Sequence, residues 1–147
     1  MIIIVGILAA LGFVQYNKVM EQTRFAEATV SIGGIRNLAQ GYYLEHNSTG
    51  GITYDSLSIG SQPGDFPSVC TPASYFTYTG WTTASGQGIG ISATRCTSGG
   101  KEPQGSPEYI FRIWYNIGTK LAAYSCEVNG EGTWSTDYSS APPRNCP

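Results

Sequence analysis

The first fourteen residues, MIIIVGILAALGFV, hold no charge and no strong hydrogen-bonding side chain. From Gln15 the pattern becomes amphipathic, and no proline separates the two parts. Phe25, Ala28, Ile32, Ile35, Ala39 and Tyr42 recur at alternating spacings of three and four, which places them on one helical face. Lys18, Glu21, Arg24 and Glu27 alternate in sign every three residues, so opposite charges become neighbours on a helix surface. Together these patterns predict one helix from Met1 through Tyr43 to about His46. The breaker cluster Asn47-Ser48-Thr49-Gly50-Gly51 ends it. At ~1.5 Å per residue such a helix is about 65–70 Å long, more than a chain of this size can cover. Its apolar half must be buried by lipid or by other copies of the same chain.

Beyond the helix the pattern shortens. Residues 52–72 are loop-like, with Gly60, Pro63-Gly64, Pro67 and Pro72. Aromatic and β-branched runs then predict strands at Ser74–Thr82 and Gly88–Cys96, joined by a hairpin turn at Gly86-Gln87-Gly88. A near-continuous apolar run, Tyr109–Ile117, reads as a central strand. Leu121–Val128 and Gly132–Ser135 follow, separated by the strong turn signal Asn129-Gly130. The expected class is α+β: a long N-terminal helix packed on a four- or five-stranded antiparallel sheet. The expected organisation is a spine helix over 1–46 and a globular head over 47–147. Within the head, 47–73 is a connecting loop, 74–136 the sheet and 137–147 a C-terminal loop.

The run IIIVGILAALGFVQYNKVMEQTRFAEA resembles the N-terminal helix of type IV pilins and pseudopilins. Gly6-Ile7-Leu8-Ala9-Ala10, Gln15-Tyr16 and Arg24–Ala28 carry the likeness, which covers about a third of the chain. The sequence departs from the family in two places. The family's processed N-terminal aromatic residue and nearby glutamate would precede Met1, so either the chain starts late or it assembles without that glutamate. The proline usual before the Gln-Tyr step is replaced by Val14. The resemblance implies a pilin fold with a C-terminal disulfide loop and a structural subunit of an extracellular bacterial filament. Such a fibre serves adhesion, motility or DNA uptake.

The implied partners are further copies of the chain in a helical homopolymer, the inner membrane that holds the precursor, and a pilus assembly machinery. Ile3, Ile4, Gly6, Ile7, Leu8, Leu11, Phe13 and Val14 would line the filament core. Lys18, Glu21, Arg24 and Glu27 would set the register between neighbouring helices or pair along their own. Gly6 and Gly12 would permit local melting before Gln15 on assembly. The alternatives are a minor pilin or type II secretion pseudopilin, and a membrane-anchored extracellular binding domain.

Composition narrows the chemistry. A net charge of −2 leaves no overall electrostatic footprint for nucleic acid. Cys70, Cys96, Cys126 and Cys146 form no metal-ligand spacing, and an even count beside a membrane-type N-terminus reads as two disulfides made outside the cytosol. Three connectivities are possible; Cys70–Cys96 with Cys126–Cys146 is preferred because each loop then closes locally. The apolar start lacks a preceding Lys or Arg for a signal peptide, and it falls short of the ~20 residues of an ordinary membrane span.

Gly33-Gly34 interrupts the helix as a packing point or a joint. Asn47 begins an N-x-[ST] sequon and is a candidate glycosylation site. His46, the only histidine, would need Ser48 and Asp55 beside it to form a hydrolytic triad, and no supporting motif accompanies it. No catalytic site and no cofactor are expected. Glu131 and Asp137 read as a solvated turn rather than a calcium site. The helix aromatics Phe13, Tyr16, Phe25, Tyr42 and Tyr43 read as packing groups rather than an electron path. Trp81 and Trp134 are weak candidates for glycan contact.

Overall fold

In the computed structural model of the protein the described residues are 2–52, 66–83, 85–103, 108–129 and 131–134; residues 2–11, 13, 14, 18 and 131–134 are described in their backbone alone. One helix, α1 (Ile2–His46), runs without interruption through both glycine-containing stretches. Five strands follow: β1 (Phe76–Thr82), β2 (Gly88–Arg95), β3 (Tyr109–Asn116), β4 (Leu121–Val128) and β5 (Glu131–Trp134). Each pairs antiparallel with the next, so the sheet is a meander in chain order. The chain is therefore an α+β protein with an N-terminal helix packed on an antiparallel sheet.

Helix and sheet meet through the spacing seen in the sequence. Ala28, Ile32, Ile35 and Ala39 are buried on the helix side. Phe76, Tyr78, Ile89, Ile91, Ala93, Tyr109, Phe111, Ile113 and Tyr115 are buried on the sheet side. Phe25 closes the upper end of this core, edge-on to Phe111 with ring centroids 5.0 Å apart. Burying an Ile or Phe side chain contributes roughly 1.5–3 kcal/mol, so the middle of α1 belongs to the head's core as fully as any strand does.

The strands behave differently on their two faces. In β3 buried and half-buried residues alternate, because one face meets the helix and the other lies outward. In β2 both faces are covered over most of its length. Gly90 explains part of this: Trp81 of the neighbouring strand lies across it. A Cβ built at Gly90 would stand 1.9 Å from the Trp81 ring, so only glycine allows the indole to lie flat there.

Three local devices set where the helix ends and how the chain returns. Asn47 takes the left-handed conformation (φ 52°) and donates its N–H to the Tyr43 carbonyl at 2.7 Å, which terminates α1. Thr49 is fully buried against the β1–β2 hairpin. Its N–H donates to the Gly86 carbonyl at 2.7 Å and its hydroxyl to the Gly88 carbonyl at 3.1 Å. A disulfide joins Cys70 to Cys96 with Cα atoms 5.9 Å apart, tying the segment before β1 to the end of β2. Cys126 is also disulfide-bonded. Cys146, the loop features at 53–65 and the segment 137–147 lie outside the described residues.

Among the described residues Gly33 and Gly34 do not form a close-packing point. A Cβ at Gly33 meets nothing within 4 Å, and one at Gly34 makes ordinary contact with Phe66 at 3.5 Å. The strand ends also shift slightly: β1 starts at Phe76 rather than Ser74, and the last strand occupies 131–134 rather than 132–135.

Candidate assembly face and its anchor

The described residues leave the helix face opposite the core uncovered. Gly12, Tyr16, Val19, Thr23, Ala26, Val30, Gly33, Asn37 and Leu44 follow one another at three- and four-residue steps, with a single seven-residue step at the end. No charge interrupts the row. Tyr16 is 60%, Val19 57%, Val30 75% and Leu44 76% exposed, although apolar side chains at this spacing normally mark a buried seam. Among the described residues nothing lies within 4 Å of a Cβ built at Gly12, Gly33 or Gly41, which leaves room for a second backbone to approach there.

Glu21 anchors the opposite edge of the helix to the sheet. Its Oε1 accepts from Arg95 Nε at 2.7 Å and from the Tyr109 hydroxyl at 3.2 Å. Its Oε2 accepts from Arg24 at 2.5 Å. Arg95 is buried at 1% exposure and spends its other donors on the carbonyls of Tyr75 (3.0 Å), Cys96 (3.3 Å) and Pro103 (2.9 Å). The Tyr75 ring supports this cluster, with Arg24, Arg95 and Lys101 each within about 5 Å of its centre.

Titration follows from this geometry. Burial alone would raise the Glu21 carboxyl, but hydrogen bonds and charge from Arg95 and Arg24 outweigh it and hold the group below the usual carboxylate range. Burial, reinforced by the Glu21 charge, pushes the Tyr109 hydroxyl upward.

The assembly residues expected from the sequence therefore divide. Glu21 and Arg24 pair with each other along the helix and tie it to the head of the same chain. Glu27 is exposed and makes no ion pair among the described residues. Of Ile3, Ile4, Gly6, Ile7, Leu8, Leu11, Phe13, Val14 and Lys18 only the backbone is described, as for Glu131 and Trp134, and Asp55 and Asp137 lie outside the described residues.

The remaining candidates do not converge on a site. His46 is exposed and stacks on Tyr42 at 4.0 Å, with Nδ1 3.0 Å from the Tyr42 carbonyl. Ser48 Oγ accepts from the Gly50 N–H rather than meeting that histidine. Asn47 is exposed, but the hydroxyl of its sequon partner Thr49 is buried and engaged. Among the described residues there is no cluster of metal-ligating side chains, and no helix is long and apolar enough to cross a membrane.

Sequence reasoning missed Arg95. The one available signal is that it continues the inward alternation of Ile89, Ile91 and Ala93, where a charge requires a buried partner. No protein-family model, curated protein or solved structure matches the chain.

Proposed function

We propose that this chain is the structural subunit of a type IV pilus-like extracellular filament that polymerises through its N-terminal helix. The observation that carries the reading is the uncharged three-and-four row from Gly12 to Leu44, exposed except at the half-buried Gly33, on the face turned away from the chain's own core. The resemblance of the first third of the sequence to pilins agrees with it. In this reading the apolar start, held in the inner membrane before assembly, is buried among neighbouring helices at the fibre axis, and the heads remain outside. Apolar burial at ~25 cal/mol per Å2, repeated over several neighbours, supplies the driving force. The pilin fold and a second, C-terminal disulfide loop belong to the same proposal.

Electron microscopy of fibres sheared from expressing cells, with mass spectrometry of their main band, tests it. Fibres built mainly of this chain support a major subunit. A chain found only in trace amounts within them is a minor one, and one retained in the membrane and absent from fibres defeats the reading.

A further inference from the structure

Four charges on α1 stand nine residues apart and alternate in sign: Lys18, Glu27, Arg36 and Glu45. Nine residues make two and a half helical turns, so successive members fall on opposite sides of the helix. Lys18 and Arg36 thus share one side by register, while Glu27 and Glu45 share the other. Each side lies roughly a quarter-turn from the uncharged row. Glu27 and Glu45 are exposed, and neither pairs with a cation among the described residues. Arg36 lies over the Tyr115 ring at 5.2 Å, and its buried Nε has no hydrogen-bond partner. By register, one basic and one acidic flank therefore border a seam that the described residues leave uncovered.

We propose that neighbouring copies pack parallel with a nine-residue stagger, setting Glu27 and Glu45 of one copy against Lys18 and Arg36 of the next. This inference rests on the filament reading and gives its interface a register. The stagger corresponds to about 13.5 Å along the helix.

The alternatives fit the charges less well. With no stagger Glu27 falls midway between Lys18 and Arg36 and Glu45 lies beyond Arg36, so each acid is about 13.5 Å from the nearest base along the helix, past the ~8 Å screening length of physiological salt. A nine-residue shift the other way matches Glu27 to Arg36 and leaves the second pair unmade. Antiparallel two-fold packing sets acid against acid. Since a parallel two-fold pair requires zero stagger, the ladder is incompatible with a closed dimer and produces an open, head-to-tail fibre.

Zero-length carbodiimide coupling on fibres of the full chain tests the register directly. Within one chain Lys18 and Glu27 sit on opposite flanks and cannot be joined, so a Lys18–Glu27 cross-linked peptide is intermolecular. That peptide is expected from fibres and not from dissociated subunits. Glu45→Arg, at an exposed position, is expected to raise the critical concentration for assembly about tenfold, and Arg36→Glu combined with Glu45→Arg to return it to within about threefold of wild type. Fibres that lack the cross-link and tolerate Glu45→Arg overturn the ladder and leave the filament reading standing. A chain that forms no fibres removes both.

Discussion

Replacing Glu21 with Gln isolates the anchor between helix and head. The substitution keeps the shape of the side chain and removes its charge, leaving Arg95 buried at 1% exposure with a full positive charge. Breaking a buried ion pair from one side costs about 3–5 kcal/mol. Two features of this site lower that figure: the Glu21 side chain is 21% exposed, and Arg95 keeps three carbonyl acceptors. A loss of about 2–3 kcal/mol is the resulting expectation, which lowers the melting temperature of a domain this size by roughly 10 °C.

The charge also sets a pH dependence. Because the folded carboxyl lies below the unfolded value of about 4.3, the node stabilises the fold fully above that value and loses its contribution as pH falls through the folded pKa. Thermal unfolding of the intact chain in detergent, followed by near-ultraviolet circular dichroism of the aromatic core, measures both effects. Wild type should lose stability more steeply than Glu21→Gln below about pH 4.3. A variant that melts within about 2 °C of wild type, with the same acid profile, would show that the anchor does not hold helix to head. Arg24→Glu is a poor probe of contacts between subunits for the same reason, since it puts a second carboxylate beside Glu21 and disturbs the anchor first.

Gly90→Ala drives a methyl group into the Trp81 ring and should destabilise the head by about 1–3 kcal/mol; adding Trp81→Ala should recover part of that loss in urea unfolding. Replacing Cys70 and Cys96 by Ser together should remove about 3 kcal/mol, read as a urea midpoint below that of wild type when both are measured under non-reducing conditions. Gly33→Ala meets open space within the subunit and gains up to ~1 kcal/mol of helix propensity, so its melting temperature should rise. The same variant should yield fewer fibres if a neighbouring backbone approaches there, and an unchanged fibre yield would exclude close contact at that residue.

Much of the architecture was readable from local pattern. The alternating spacings from Phe25 to Tyr42 identified the buried helix face, and Asn47 marked the helix end. Period-two runs and the Asn129-Gly130 turn placed the strands within two residues. Each of these signals lies within a few residues of the structure it specifies. The same locality explains the Cys70–Cys96 preference, because a disulfide closing 26 residues joins neighbouring parts of one unit.

What the sequence could not assign were the partners. Glu21, Arg24 and Glu27 look alike as a row of alternating charges, yet the first two hold the head and the third faces outward. The difference is made by Arg95, 74 residues from Glu21, and by Tyr109, 88 residues away. In the same way, Trp81 is shaped by the glycine opposite it, and Thr49 by the carbonyls of a hairpin it meets only after folding. By itself the sequence determined which residues form the helix and strands, and which faces are apolar, because periodicity acts over one or two turns. Only the tertiary structure decided which charges are consumed inside the subunit and which helix face remains exposed, because those outcomes depend on groups brought together across the whole chain.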